Sequence, residues 1–165
     1  MAVGLSFYPM KKQKTYVITL SQVFPVTHIR KGEPTGFKDK FLAAIKQVEG
    51  DWLKLHTIRA NYELWKKRFD EITAGKACLA IRQWTGRPYK SKQVELARLT
   101  REDGIGLQEL RFDKSRLLPN VNYKPVGVGR LANNDGLSLE DWKEWFKNYD
   151  ITKPLAIIHF TSFRY

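Results

Sequence analysis

Apolar positions recur along this chain with two periods, and the switches between them mark its elements. Residues 16–20 are β-branched and apolar behind Lys11, Lys12 and Lys14, which predicts a first strand. Gly32, Pro34 and Gly36 interrupt the pattern and predict a loop over residues 28–36. Phe37, Phe41, Leu42 and Ile45 then follow helical spacing, with Thr35 placed to cap the helix and Gly50 to close the segment. Residues 54–59 read as extended. Asn61 suits the N-cap of a second helix that carries Leu64, Trp65, Phe69 and Ile72 on one side, with Gly75 at its end. Residues 77–81 read as a buried strand, 82–92 as a polar hairpin or loop, and 93–99 as a half-exposed strand with Val94, Leu96 and Leu99 inward. Residues 106–112 predict another strand, whereas 117–129, with Pro119 and Pro125, read as irregular. The run Asn133-Asn134-Asp135-Gly136 predicts a turn before a third helix, capped by Ser138 and opening on Glu140 and Asp141. Leu139, Trp142, Trp145 and Phe146 supply that helix with an apolar face, and residues 155–160 close the pattern as a strand.

Several strands that alternate irregularly with three helices predict an α+β domain built on a small mixed β-barrel. A doubly wound parallel sheet needs more regular βα alternation. Residues 1–13 read as a flexible leader and 14–165 as one domain, long enough to bury a real core. No apolar run is long enough to span a bilayer, and the first ten residues lack a signal-peptide layout. Cys78 is the one cysteine, which excludes an internal disulfide and points to a reducing, cytoplasmic setting.

Charge narrows the partner class. Twenty-nine Lys and Arg against seventeen Asp and Glu give a formal net charge of +12, which attracts polyanions, nucleic acid foremost. A basic surface that serves only solubility is the alternative. Familiar catalytic signatures are missing: there is no P-loop, dinucleotide glycine fingerprint or nucleophile elbow. His28, His56 and His159 are widely separated and lack paired ligand spacing, so no metal or other cofactor is expected. His159 reads as structural, and His28 as an exposed loop residue.

Two stretches carry candidate chemistry. Lys54-Leu55-His56-Thr57-Ile58-Arg59 gathers an amine, an imidazole, a hydroxyl and a guanidinium, a cluster costly to bury and so expected to line a polar cleft. A desolvated lysine with a lowered pKa can act as a base toward a threonine hydroxyl, and an arginine can hold a phosphate or a developing oxyanion. The same residues equally fit a strand edge with flanking cations. Lys54 and Thr57 are three apart, so their cooperation requires a bulge or turn near Leu55 and His56. The second stretch, residues 82–92, interleaves Arg82, Arg87, Lys90 and Lys92 with Trp84 and Tyr89. That pattern suits phosphates and stacked bases held together, or a solvated basic hairpin whose Trp packs inward.

At residues 54–59 the chain resembles the ASCH superfamily, a PUA-like β-barrel group related to RNA-binding modules. Its members often carry a Gly-Xaa-Lys-Xaa-Xaa-Thr-Xaa-Arg element. Lys54, Thr57 and Arg59 fit the end of that element, with Gly50 upstream at looser spacing. Ile72-Thr73-Ala74-Gly75 before an apolar run, and Asn134-Asp135-Gly136-Leu137-Ser138-Leu139 before an aromatic-rich helix, are similar to the family's layout; the likeness covers residues 16–160. The resemblance is greatest to small ASCH-type proteins of bacteria and their phages. It implies a PUA-like barrel flanked by about three helices and an RNA-binding cleft. Arg59 and His56 would line that cleft, with Arg82, Trp84, Arg87 and Lys90 on the approach. Some small members are amidohydrolases acting on N4-acetylcytidine, and others are reported as ribonucleases. Carried over by residue, Lys54 is the base, Thr57 the nucleophile and Asp135 the acid, one methylene shorter than the family's Glu. The expected partner is therefore RNA or another single-stranded nucleic acid, or a modified nucleoside. A protein-interaction adaptor is a third class that the basic charge accommodates.

Overall fold

The computed structural model describes residues 13–49, 52–113 and 115–165. In chain order the elements are β1 (Lys14–Leu20), α1 (Phe37–Ile45), β2 (His56–Arg59), α2 (Tyr62–Thr73), β3 (Ala77–Trp84), β4 (Gln93–Leu99), β5 (Gly106–Phe112), β6 (Pro119–Val121), β7 (Lys124–Pro125), α3 (Val128–Asn134), α4 (Leu139–Phe146) and β8 (Leu155–His159). The fold is α+β. One sheet has the order β1-β3-β4, with β1 parallel and β4 antiparallel to β3. The other has the order β2-β8-β5-β6-β7 and is antiparallel throughout. Among the described residues no strand pairing joins the two sheets into a ring.

The apolar periodicity explains the core. β3 and β8 are the buried central strands, and Phe41, Ile58, Leu79, Leu110, Trp142 and Ile157 belong to one contiguous apolar cluster. α2 packs Trp65, Phe69 and Ile72 inward and lies against β3, β5 and β8. Asn61 caps α2 as expected: its side chain accepts from the Leu64 backbone N–H at 3.2 Å. Ser138 likewise accepts from Asp141 at the start of α4. Thr35 works one residue further out than expected. Gly36 occupies the N-cap in a left-handed conformation, and the buried Thr35 hydroxyl accepts from the Phe37 N–H while donating to Ser21 O.

Four differences from the sequence reading have physical causes. Residues 128–134 form a fourth helix, α3; Gly129 and two Asn lower its intrinsic propensity, and burial of Leu131 and Ala132 supplies the stabilisation. Residues 119–125 pair as β6 and β7; Pro119 is tolerated as the first residue of β6 and Pro125 on the edge strand β7. A bulge between Ile81 and Arg82 interrupts the β3–β4 register, and Val94, opposite Gln83 near the hairpin end, is exposed rather than inward. His28 is buried, not exposed: its Nε2 bonds Asp141 O, its Nδ1 accepts from the Arg30 N–H, and its ring packs on Phe24. Of the leader read over residues 1–13, all but Gln13 lies outside the described residues, as does Gly50. No helix among the described residues is long and apolar enough to cross a membrane.

Candidate functional site

The structure separates the predicted site residues into two groups. The first is built where α3 ends against the strand entering β2. Asp135, the C-cap of α3, makes an isolated antiparallel bridge to Lys54, so residues 81 apart in sequence face each other. Gly136 makes this approach possible. Its φ of 79° is left-handed, and an added Cβ would lie 3.2 Å from Lys54 Cβ and 3.3 Å from Lys40 Cδ.

Lys54 does not line an open cleft; its relative exposure is 2%. Its Nζ donates to Asp135 Oδ1 and to Asp135 O, each at 2.8 Å, and lies 4.1 Å from the centroid of the Phe37 ring. The expectation of solvent access fails because two acceptors of Asp135, its carboxylate and its backbone carbonyl, satisfy the ammonium inside the fold. Burial pulls the Lys54 ammonium below its ordinary range; Asp135 opposes that pull, while Arg59 and Lys40 add to it. Burial also pushes the Asp135 carboxyl up, but the Lys54 ammonium and the His56 ring together outweigh it and leave it below the usual carboxylate range. The pair is therefore an ion pair.

His56, fully buried, extends the cluster. The Tyr165 hydroxyl accepts from Asn134 Nδ2 at 3.1 Å and lies 2.6 Å from His56 Nε2, so the phenol proton is directed to that nitrogen. The ring proton is then on Nδ1, 3.7 Å from Asp135 Oδ1 and without a hydrogen-bond partner among the described residues. Burial depresses the His56 pKa, with Asp135 opposing, and it raises that of the Tyr165 phenol. Tyr165 was invisible to sequence reasoning, because nothing local in residues 161–165 announces a partner at residue 56.

Thr57, on β2, is also buried, and its hydroxyl accepts from Arg59 Nη1 at 2.7 Å. No Lys54–Thr57 hydrogen bond exists among the described residues. Arg59 further donates to Ile58 O and, at 2.8 Å, to Thr19 O, bracing β2 against the end of β1. Beside Gly136 lies a cavity of about 380 Å³ bordered by Arg30, Lys40, Trp52, Ser138 and Asp141. Lys40 Nζ donates there to Gly136 O at 2.8 Å and to Thr35 O at 3.1 Å.

The second group is the β3–β4 hairpin. Trp84 ends β3 half-buried, and Tyr89, at a left-handed φ of 62°, is 87% exposed with its ring centroid 5.2 Å from that of Trp84. The turn is held by Ser91, whose hydroxyl donates to Arg87 O and accepts from the Gly86 N–H. Arg87, Lys90 and Lys92 are exposed and have no carboxylate partner among the described residues. Arg82 is different: it lies 3.5 Å from Glu95 and donates to Gln93 Oε1.

Among the described residues no group of three or more His, Cys, Asp or Glu is arranged to hold a metal ion. Lys54, His56 and Asp135 thus form one buried cluster, and Trp84, Arg87 and Lys90 one exposed surface. No protein-family model, curated protein or solved structure matches this chain.

Proposed function

We propose that this chain is a nucleic-acid-binding protein, taking single-stranded RNA before DNA, on an ASCH-type, PUA-like scaffold. The observation that carries this reading is the β3–β4 hairpin: an aromatic pair with one ring almost fully in water, among three cations free of carboxylates. Bases stack on aromatic faces whatever their sequence, and unpaired cations bind phosphate without first breaking an ion pair. The chain's charge of +12 adds a long-range attraction. The preference for RNA follows from the resemblance at Lys54, Thr57 and Arg59. Those residues, with His56, brace the strand β2 and its approach.

Binding of a labelled single-stranded RNA is expected to weaken steeply with salt. Each phosphate contact contributes about −0.7 to the slope of log K against log salt, so the Arg87→Ala/Lys90→Ala variant loses about 1.4 from that slope. An affinity flat across the salt series, or a slope that the variant leaves unchanged, sinks the reading.

The 2.8 Å Lys54–Asp135 pair, with the lowered pKa of Lys54, favours one second reading: a metal-independent hydrolase on a modified nucleoside or RNA. Lys54 would act as base, Thr57 as nucleophile and Asp135 as acid, which requires the ion pair first to pass its proton from Lys54 Nζ to Asp135 Oδ1. Arg59, which now holds the Thr57 hydroxyl, would have to release it. Incubation with N4-acetylcytidine, followed by mass spectrometry, is expected to show loss of the acetyl group that Thr57→Ala abolishes while binding persists. Full turnover in the variant excludes Thr57 as nucleophile.

A further inference from the structure

The hairpin does not stand alone. Its inner side faces the segment that follows β1, and the two enclose a groove of about 400 Å³, within the range of small-molecule sites of about 300–1,000 Å³. We propose that this groove seats one unpaired base of the bound strand, with Gln22 at its edge reading that base as adenine; the proposal rests on the nucleic-acid reading above and names what the site takes.

One wall is Trp84, Pro88 and Tyr89, and the other is Val23 to Val26. The second wall is rigid. Phe24 is buried and exchanges backbone bonds with its own loop, its N–H donating to Glu33 O at 2.9 Å and its carbonyl accepting from the Gly32 N–H at 3.0 Å. Val23 bridges Pro34, and the Phe24 ring packs on His28 and Trp145. A preformed wall needs no ordering on binding, which lowers the cost of filling the groove.

The chemistry of the groove selects its occupant. Val26 and Tyr89 are each 87% exposed, so apolar surface on both sides awaits cover. No carboxylate lines the groove, which removes any attraction for a cationic ligand. Arg87, Lys90 and Lys92 lie on the hairpin that forms one wall, where the phosphates flanking a seated base would lie. A flat aromatic group carried on an anionic backbone matches walls and rim together.

Gln22 supplies the discriminating contact. Its backbone is pinned, because its carbonyl accepts from the Thr35 N–H at 3.1 Å and from the Thr35 hydroxyl at 3.3 Å. Its side chain is exposed, lines the groove and has no hydrogen-bond partner among the described residues. A free carboxamide offers one acceptor and one donor side by side, the complement of adenine N6 and N7.

The test reads binding and seating separately. The full chain is titrated with a labelled single-stranded RNA decamer in which one position carries the fluorescent base 2-aminopurine, and anisotropy and base emission are followed together. Anisotropy is expected to rise as emission falls, because a base stacked on an aromatic ring is quenched. Tyr89→Ala is expected to weaken binding by about 5- to 150-fold and to restore emission. Val26→Asp, at an exposed position whose change leaves the fold intact, is expected to restore emission from the opposite wall. With unmodified decamers differing in one base, Gln22→Leu is expected to erase a preference for adenine. A bound decamer whose affinity and base emission are unchanged by both Tyr89→Ala and Val26→Asp overturns the base seat and leaves the nucleic-acid reading standing. An acidic peptide that binds while the decamer does not overturns both.

Discussion

Replacing Lys54 by methionine is expected to destabilise the fold by about 3–5 kcal/mol, the range for a buried ion pair broken on one side. The variant strands the Asp135 carboxylate in a site from which water is excluded. The carboxylate can escape only by taking a proton. At pH 7, about three units above its ordinary pKa of about 3.9, that costs about 4 kcal/mol and sets the scale of the loss. The sign of the pH dependence follows. In the variant the folded pKa of Asp135 rises above its unfolded value, so the deficit relative to the parent is full near neutrality and shrinks as the pH falls toward 4. Replacing both partners, as Lys54→Met with Asp135→Leu, is expected to recover most of the stability, since a well-packed apolar pair is often neutral relative to a buried ion pair. Urea unfolding followed by the fluorescence of the five tryptophans measures the parent and both variants. For a chain of this length each kcal/mol also moves the melting temperature by about 2–4 °C. A Lys54→Met protein with the parent's midpoint would show that the pair contributes nothing.

Acid is expected to destabilise the parent well before its carboxylates titrate. His159 is buried on β8, where its Nε2 donates to Gln108 Oε1 at 2.9 Å and its Nδ1 lacks a partner among the described residues. Burial, then the nearby His56 and Arg164, pushes its pKa down from 6.5 to about 2. His56 is depressed as well. Below pH 6.5 the unfolded chain takes up protons that the folded chain refuses. Both histidines therefore contribute fully above that pH and lose their contribution as the pH falls, that of His159 progressively toward pH 2. Each unit in that window costs about 1.4 kcal/mol for His159, so at pH 4.5 it alone removes about 2.7 kcal/mol. In His159→Gln, whose amide can still donate to Gln108, the slope of stability against pH between 6.5 and 4.5 is expected to fall by about 1.4 kcal/mol per pH unit, leaving the share of His56. The slope, not the absolute stability, is the readout. A parent equally stable at pH 7 and pH 4.5 refutes the account.

These expectations draw on features that were unevenly visible in the sequence. β1, β3, β8, α1, α2 and α4 were legible because apolar period, cap residue and terminating glycine lie within a dozen residues of one another. The β3–β4 hairpin was legible as a basic, aromatic loop for the same reason. α3 was not, since its glycines and asparagines mimic a turn and only the packing of Leu131 and Ala132 overrides them. His28 misled because the polarity of its loop gives no sign that backbone groups of Arg30 and Asp141 would satisfy the ring.

The sequence by itself determined most of the elements, though not α3, β6 or β7, together with the α+β class, the cationic surface and the composition of the exposed hairpin, all properties of neighbours along the chain or of simple sums over it. Only the tertiary structure decided that Lys54 is an interior ammonium, that its partner is Asp135, and that Tyr165 closes over His56. A cation in a sequence reads as surface, because burying it alone is prohibitive. It becomes an interior group only when the fold delivers a carboxylate and a backbone carbonyl from a distant segment, and that delivery depends on how α3 meets the approach to β2. Its physical basis is long-range convergence, which no local periodicity encodes.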